Sequence, residues 1–376
     1  MTSREIPLWY PGSPPIYDIQ KTYDENAAKG PFFSGKVPER EWPPEEQWTD
    51  FLGYPVASRI GIPAGPLLTS PWIALAAALG YDIPIYKTIR TQAHPSHPLP
   101  NMVYVDTHGM IDPARREEPA RLASSPSPQI NDLAVTNSFG MPSKSPSFLH
   151  EDIPKANASL KKGQVMVVSV VGTQRSGATF LEDFVESALL AKECGAKIIE
   201  ANFSCPNVDK SAGCLYMSPT TVFDIGSAIA KAIHPIPLII KVGLFASDEQ
   251  MRDVMVAAAK AKIRSIAGIN TISMRVLDQS GNPALGSARE TSGICGGPIR
   301  NAALEFIQTA AAINRKEKLG LTLIGVGGIT LPEHFNLFFD AGADIAMSAT
   351  GMMWDPYLAA RYHQRQLQNS FDRKNR

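Results

Sequence analysis

The sequence predicts a (β/α)8 barrel that follows an irregular N-terminal arm. From residue 56 onward, short apolar runs alternate with segments of helical periodicity, which gives about eight strand–helix units. These runs are continuous, as in parallel strands buried on both faces. An open doubly wound sheet is the alternative, but residues 63–66 lack the glycine-rich fingerprint such a sheet carries after its first strand. We therefore predict an arm over residues 1–55 and one barrel domain over residues 56–376.

The arm is rich in proline, tryptophan and charged residues. The segments around Trp9 and Trp42 show neither helical nor alternating periodicity, which predicts an irregular segment wrapped on the barrel. Aromatic residues are also enriched at protein interfaces, so a homodimer contact through the arm is the alternative interpretation.

The barrel elements follow at regular intervals. Strands are predicted at residues 56–62, 83–88, 164–171, 197–202, 237–242, 265–271, 321–326 and 344–348. Helices are predicted at residues 72–79, 177–193, 248–261, 299–315, 331–341 and 351–368, with one more that follows residue 218. Ser70 and Ser218 each precede a proline, and serine as N-cap with proline at the first helical position marks a helix start. Gly80 suits the position just after a helix.

Two long excursions interrupt this alternation. The first, residues 92–132, is rich in proline and contains one or two short predicted strands near residues 102–105. A further apolar run at residues 133–136 leads into a polar turn at residues 137–142. The second excursion, about residues 273–292, has no assigned element. His94 and His97 lie beside prolines that prevent a helix there, so we interpret them as solvated loop residues rather than a metal pair.

The composition is that of an ordinary globular protein, at 44% hydrophobic and 19% charged residues. Lys plus Arg equals Asp plus Glu at 36 each, so no basic excess indicates a nucleic-acid partner. No apolar run reaches the roughly 18 residues of a membrane span, and the first residues lack the apolar core of a signal peptide. We expect a cytoplasmic protein without membrane contact.

The cysteines do not form a metal-binding or disulfide pattern. They stand at Cys194, Cys205, Cys214 and Cys295. No C-x-x-C spacing occurs, which argues against zinc and iron–sulfur sites, and a chain of this size does not need a disulfide framework. No metal site is predicted.

Polar residues follow the predicted strands at their carboxyl ends, which in a barrel all lie on one face. The residues at these ends are Ala64, Gly65, Lys87, Thr88, Asn137, Asn202, Cys205, Asn207, Lys241, Asn270 and Thr271. Glycine-rich or small-residue turns follow the later strands at Gly296-Gly297, Gly327-Gly328 and Ala349-Thr350. Together they predict one polar site.

The loop at residues 202–207 is the most informative of these. Pro206 ends the strand because it cannot donate to the ladder. Asn202 and Asn207 offer paired amide donors and acceptors, which suit a ring with amide groups. Cys205 lies between them and is a candidate general base, because its ordinary pKa of about 8.5 is close enough to neutral to be tuned. A buried strand-end cysteine is the structural alternative.

The late turns predict a phosphate site, since barrels often bind phosphate after strands seven and eight. Backbone N–H groups near helix N-termini suit a phosphate dianion. Lys241 suits an electron-rich ring that accepts a hydride, because a cation stabilises the anionic reduced form. Flavin mononucleotide (FMN) fits these features. A Schiff base on Lys241 or Lys87 is the alternative chemistry, but it does not account for the loop that carries Cys205.

Residues 202–207, Asn-Phe-Ser-Cys-Pro-Asn, resemble the N-x-S-C-P-N motif of the class 1 dihydroorotate dehydrogenases. The resemblance extends from about residue 56 to the last helix. Matching segments occur in the same order at Lys87-Thr88, residues 137–142, Lys241-Val242, residues 293–297 and residues 325–329.

The resemblance implies an FMN barrel that oxidises a dihydropyrimidine in pyrimidine biosynthesis. Cys205 would take the C5 proton while hydride passes from C6 to flavin N5. The substrate would be bound by Lys87, Asn137, Phe139, Gly140, Met141, Asn202, Asn207, Asn270 and Thr271. FMN would be bound by Ala64, Gly65, Lys87, Thr88, Asn202, Lys241, Gly296, Gly297, Gly327, Gly328, Ala349 and Thr350.

Two other functions stay open at this point. Thr271 after Asn270 resembles dihydropyrimidine dehydrogenases, which act on uracil and thymine, whereas Asn207 favours dihydroorotate. A barrel that binds a phosphorylated ligand without catalysis is the third hypothesis. The chain has no dinucleotide fingerprint, so use of NAD as electron acceptor would require an iron–sulfur/FAD partner subunit.

Overall fold

The computed structural model describes residues 9–10, 12–204 and 215–374. Its centre is a closed barrel of eight parallel strands, which confirms the predicted fold class. In barrel order these strands are β3 (Ile60–Ile62), β4 (Ile83–Ile89), β8 (Val167–Val170), β9 (Ile198–Asn202), β10 (Leu238–Lys241), β11 (Ser265–Gly268), β14 (Thr322–Val326) and β15 (Ile345–Met347). The barrel order is also the chain order, as in a (β/α)8 barrel.

A helix follows each of these strands on the outside of the barrel. The helices are α2 (Ser70–Ala78), α3 (Pro146–Ala158), α4 (Phe180–Glu193), α5 (Pro219–Ile233), α6 (Asp248–Lys260), α7 (Arg300–Lys316), α8 (Pro332–Ala341), α9 (Thr350–Trp354) and α10 (Leu358–Lys374). The predicted closing helix at residues 351–368 is therefore two helices, because Pro356 cannot continue a helical ladder. No helix in the described part of the chain is long and apolar enough to cross a membrane.

The two predicted helix caps differ in outcome. Ser218 is the N-cap of α5, and its hydroxyl accepts the N–H of Thr221 at 3.2 Å, as expected. Ser70 is instead the first residue of α2, and its hydroxyl donates to the carboxylate of Asp152 at 2.6 Å. Gly80 has φ of 106° just after α2, as predicted for a glycine at this position.

The N-terminal end of the barrel is closed by a hairpin. Strands β1 (Thr49–Phe51) and β2 (Tyr54–Val56) pair antiparallel, so the run predicted as one strand at residues 56–62 is divided between β2 and β3. Phe51 and Val56 pack with the apolar residues inside the barrel. The predicted boundary at residues 55 and 56 falls within β2.

The two excursions meet in space and form a second closed sheet. It contains β5 (Met102–Asp106), β6 (Ala120–Leu122), β7 (Ala134–Asn137), β12 (Ile272–Leu277) and β13 (Thr291–Gly296). The pairing of β7 with β13 joins Asn137 to Gly293. The second excursion therefore begins and ends in strands, which the sequence did not predict, because each strand is short and its partner is distant.

The arm is less irregular than predicted. It contains the helix α1 (Tyr23–Lys29), which begins at a capping box between Thr22 and Glu25. Tyr17 and Tyr23 are buried against the body of the protein. The arm thus packs on the barrel, as expected.

Candidate active site

A cavity lies at the carboxyl ends of the barrel strands, beside the second sheet. It brings together most of the residues that the sequence predicted for one site. Those that line it are Ala64, Gly65, Lys87, Thr88, Asn137, Phe139, Met141, Asn202, Lys241, Asn270, Thr271, Gly296, Gly327, Gly328, Ala349 and Thr350. Gly140 and Gly297 are not among its lining residues. Cys205 and Asn207 lie outside the described residues.

Asn202 and Lys241 are the last residues of two neighbouring strands, and they are paired in register. Their side chains are only 6% and 4% exposed, respectively. The N–H of Phe203 donates to the Lys241 carbonyl at 3.0 Å, so the pairing continues one residue past Asn202. The two barrel strands therefore present an amide and an ammonium group side by side at the cavity floor.

Lys87 and Thr88 reach the cavity from β4. Lys87 is buried, and its backbone N–H donates to the carbonyl of Leu67 at 3.0 Å, which fixes the loop after β3 against β4. The Thr88 hydroxyl donates to the Ser169 hydroxyl at 3.1 Å. Gly65, in the fixed loop, has φ of 146°, and a Cβ there would meet no atom within 4 Å. This side of the cavity is therefore open to a ligand.

Asn137 ends β7 and turns its amide into the cavity, where its Nδ2 lies 3.8 Å from the Cys295 Sγ. The loop after it is held by Arg90, a buried residue that the sequence analysis missed. The Arg90 Nε donates to the Met141 carbonyl at 2.9 Å and its Nη1 donates to the Thr173 hydroxyl at 2.6 Å. Arg90 thus ties the loop at residues 139–141 to the body of the protein.

Gly140 has a packing role in the described structure. Its φ is 74°, and a Cβ there would lie 2.7 Å from the ring of His97. The N–H of His97 donates to the Phe139 carbonyl at 3.0 Å. His97 therefore supports this loop, which corrects its interpretation as a solvated histidine.

Asn270 and Thr271 line the cavity after β11. The Asn270 amide donates to the carbonyl and hydroxyl oxygens of Ser204, with 3.1 Å to the hydroxyl. Asn270 therefore links the end of β11 to the last described residue before the loop at 205–214.

The glycine turns have left-handed backbone conformations. Gly296, Gly327 and Gly328 have φ of 107°, 132° and 73°. A Cβ at Gly328 would lie 2.4 Å from the Cβ of Arg300, whose Nη1 donates to the Gly328 carbonyl at 3.3 Å. These positions need glycine because of backbone conformation and packing.

Gly297 lies beneath this wall of the cavity. A Cβ there would lie 1.6 Å from the Asn131 carbonyl oxygen, so the residue serves close packing of backbone. Gly297 is not among the described lining residues, and its contact with a cofactor stays a prediction.

Cys295 is a cavity residue that the sequence analysis did not assign to the site. Its Sγ donates to the Val135 carbonyl at 3.5 Å. Burial raises the pKa of this thiol, while hydrogen bonds from Thr350 and Asn137 and the charge of Lys241 oppose that rise. The net effect keeps the thiol protonated at neutral pH. The feature of the sequence that could have identified Cys295 is its thiol, which stands inside a segment, residues 293–297, that otherwise resembles a glycine-rich turn.

The arm supplies two further cavity residues that were missed. Tyr17 and Tyr23 both line the cavity, and both rings contact Phe139 at centroid distances of 6.2 and 6.1 Å. No periodic pattern in the arm could have placed them there.

The lining of the cavity has a positive charge. Lys87 and Lys241 are its charged residues, and no Asp or Glu is found among the described lining residues. Buried ammonium groups are stable when a ligand supplies negative charge. The amides of Asn137, Asn202 and Asn270 add donors and acceptors for a polar ring. The described residues therefore fit a flavin cofactor that carries negative charge.

The fold and this cavity define a (β/α)8-barrel protein with a positively charged, amide-lined site at the carboxyl ends of its strands. The family model described as dihydroorotate dehydrogenase matches residues 121–370. A dihydroorotate dehydrogenase of Dictyostelium discoideum is 46% identical over 362 residues, which cover 94% of this chain and 98% of that protein. The chain belongs to the dihydroorotate dehydrogenase family, and it is therefore an oxidoreductase that acts on CH–CH donors.

More distant relatives agree with this assignment. The catalytic subunit of dihydroorotate dehydrogenase B (NAD(+)) from Anoxybacillus flavithermus is 27% identical over 247 residues, which cover 63% of this chain and 69% of that protein. The ligand-free crystal structure of the Eimeria tenella enzyme superimposes with a TM-score of 0.69 at 17% identity, over 89% of this chain and 90% of that chain. This last similarity supports the fold. Membership of the family implies a flavin cofactor.

Proposed function

We propose that this protein oxidises dihydroorotate to orotate in pyrimidine biosynthesis, with FMN as its flavin. The observation that supports this most directly is the lining of the cavity. Two buried lysines and three asparagine amides meet there, with no carboxylate among the described lining residues. A dihydropyrimidine with a carboxylate and an FMN with a phosphate together match that set of charges and hydrogen-bonding groups.

In this proposal Lys87 binds the substrate carboxylate, and the loop at residues 139–141 assists through its backbone. Arg90 already holds two carbonyls of that loop, so its remaining backbone groups are positioned before substrate arrives. Asn137, Asn202 and Asn270 orient the ring, and Asn207 joins them from the loop at 205–214. Thr271 contacts the same ring.

The proposed base is Cys205, which removes the C5 proton of the substrate. The bound flavin supplies the acceptor for the hydride that leaves C6. Lys241 stabilises the negative charge that develops on the ring system, because its buried ammonium is little screened by water. The role of Cys205 as the base is inferred from the resemblance of residues 202–207 to the family motif.

We propose that FMN is held by groups from both sides of the cavity. Ala64, Gly65 and Thr88 line one side, and Gly296 lines the other. The backbone at Gly327-Gly328 and Ala349-Thr350 binds the phosphate, where the turns after β14 and β15 meet.

The substrate is tested by anaerobic mixing of the purified holoprotein with dihydroorotate and, separately, with dihydrouracil. Loss of the oxidised flavin absorbance with dihydroorotate alone is the expected result. Reduction by dihydrouracil alone would assign the protein to uracil or thymine metabolism, the alternative suggested by Thr271. A flavin that neither compound reduces would contradict both substrates. Release of the flavin and its mass identify FMN.

The base is tested by comparison of two thiols, the proposed base Cys205 and the cavity residue Cys295. Cys205→Ala is expected to bind FMN and orotate but to lose turnover by at least about 100-fold, within the range for removal of a general base. Cys295→Ser is the comparison variant. If turnover were lost in Cys295→Ser and kept in Cys205→Ala, the assignment of the base would be wrong.

A further inference from the structure

Tyr17 has an unusual position for a residue of an N-terminal arm. Its side chain is 4% exposed and it lines the cavity. Its hydroxyl oxygen is buried and has no hydrogen-bond partner in the described part of the chain. Since a buried hydroxyl without a partner costs about 1–3 kcal/mol, such a group in a native structure calls for an explanation.

The ring of Tyr17 is fixed from two sides. It lies 6.1 Å from the ring of Trp72 at an interplanar angle of 55° and 6.2 Å from the ring of Phe139 at 81°. Tilted and edge-to-face contacts of this kind are favourable for aromatic pairs. The direction of the hydroxyl is therefore set by packing.

The backbone around Tyr17 is also held in place. The carbonyl of Ile16 accepts the N–H of Phe32 at 3.1 Å. The N–H of Asp18 donates to the side chain of Asn26 at 2.9 Å, and Asn26 is fully buried. The segment that carries Tyr17 is thus anchored to α1, so the hydroxyl is a preorganised group rather than a passing contact.

The Tyr17 side chain lines a cavity that suits acceptor oxygens. Burial and the neighbouring Asp18 raise the pKa of Tyr17, so the phenol stays neutral and retains its proton to donate. Phe139, against which the ring packs, belongs to the loop to which the proposed function assigns the substrate carboxylate. Lys87 in the same lining leaves the local charge positive.

We propose that the Tyr17 hydroxyl donates a hydrogen bond to an oxygen atom of the bound pyrimidine substrate, which makes the N-terminal arm part of the substrate site. This inference rests on the proposed function, since the substrate is dihydroorotate there. Tyr17 is then a binding and positioning residue for the reaction, and the arm contributes to specificity through it.

The test is Tyr17→Phe in the full-length holoprotein, because phenylalanine keeps the packing and removes only the hydroxyl. We expect KM for dihydroorotate and Kd for orotate to rise roughly 5- to 10-fold, as for one lost hydrogen bond, with FMN content unchanged. Without substrate, the variant is expected to be no less stable than wild type, since the hydroxyl has no partner to lose.

Tyr81→Phe is the matched control. Tyr81 is fully buried but lies outside the cavity lining. We expect this variant to leave KM and orotate affinity unchanged. Unchanged KM and orotate affinity in Tyr17→Phe, with a wild type that dihydroorotate reduces, would overturn this inference alone. A wild type that dihydroorotate does not reduce would overturn the proposed function, and this inference with it.

Discussion

Glu200 shows how much a single residue below the cavity can matter. It stands two residues before Asn202 on β9 and pairs with Ser169 of β8 and Ile239 of β10. Side chains alternate along a strand, so Glu200 and Asn202 point to the same side, toward the barrel interior. Glu200 is fully buried, and neither of its carboxyl oxygens forms a well-aligned hydrogen bond with another described residue.

The pKa of Glu200 is raised, and the cause is loss of hydration. The charge of Lys241 and the approach of the Ser169 hydroxyl lower it, but by less than burial raises it. The acid is therefore held toward its neutral form. A neutral Glu200 does not cancel the positive charge that Lys241 contributes to the cavity lining.

We predict that the stability of Glu200→Gln relative to wild type increases as the pH rises. The folded pKa of Glu200 is above its unfolded value of about 4.3, so the native state binds more protons in that window and stability falls as pH rises through it. Glutamine does not titrate. The advantage of the variant should therefore grow with pH, by up to about 1.4 kcal/mol per unit within the window.

The measurement is urea unfolding of wild type and variant at pH 5 and pH 8. If Glu200 were ionised and paired with Lys241, the variant would instead lose stability at pH 8. Parallel curves at both pH values would also contradict the prediction.

There is a physical reason why the sequence identifies many of the residues that line the cavity. Asn202 and Lys241 end buried strands and Lys87 lies near the end of one, and a polar residue at such a position has few roles other than a site. Tyr17 could not be found in this way, because its entry into the cavity depends on how the arm folds back. Cys295 was hidden because β13 was interpreted as a turn.

At the scale of elements, the barrel strands were predictable and the second sheet was not. Buried parallel strands leave continuous apolar runs that need no knowledge of their partners. The strand β6 has three residues, and β7 pairs with a strand more than 150 residues away. Such pairing is decided by tertiary structure rather than by local pattern. The helix α1 did carry a local signal, the capping box at Thr22 and Glu25.

The arm is attached to the barrel by an ion pair between Arg40 and Asp82. The guanidinium donates two hydrogen bonds to the carboxylate, at 2.6 and 2.7 Å, and the side chains are 9% and 0% exposed. Ser58 and Gln164 complete the shell of Asp82, with their donor atoms at 2.5 and 3.1 Å. The arm residue Arg40 thus meets the segment just before β4.

We predict that Arg40→Ala lowers the free energy of unfolding by about 3–5 kcal/mol, because it leaves the buried Asp82 carboxylate without its cation. Arg115→Ala is the matched control, since Arg115 pairs with Glu118 on the surface at 68% and 61% exposure. Because water solvates both partners of that exposed pair, Arg115→Ala is expected to lose far less stability than Arg40→Ala. Urea unfolding at neutral pH measures both. If the free energy of unfolding fell by the same small amount in the two variants, the attachment of the arm would not depend on the pair of Arg40 and Asp82.

At the scale of the whole molecule, the site is enclosed by three parts of the chain that are distant in sequence. The barrel provides the floor with Lys87, Asn202 and Lys241, the second sheet provides Asn137 and Cys295, and the arm adds its tyrosines. Of these three parts, only the barrel could be inferred from the sequence, through its alternating strands and helices. The enclosure could not, because it depends on the docking of segments without periodicity.

Two histidines, the buried His334 and the half-buried His363, connect parts of this assembly. The Nδ1 atom of His334 accepts the backbone N–H groups of Thr330 and Leu331, each at 3.2 Å, at the start of α8. The Nε2 atom of His363 in α10 donates to the carbonyl of Gly80 at 2.7 Å. Burial, with the charges of Arg300 and Arg40 respectively, lowers the pKa of each to about 4. Both rings are therefore neutral in the native protein above that pH.

We predict that the protein loses stability as pH falls from about 6.5 to 4, and that His334→Gln loses less. Unfolding restores an ordinary histidine pKa of about 6.5, so the unfolded state binds more protons in this window. Glutamine at 334 can accept the same N–H groups at the third helical position but does not titrate. Between pH 7 and pH 5, wild type should lose about 2 kcal/mol more than the variant. Urea unfolding at the two pH values gives this difference. An equal loss of stability in both proteins would mean that His334 is already protonated in the native state. Its Nδ1 atom could then not accept hydrogen bonds from the loop after β14, and another group would have to hold that loop in place.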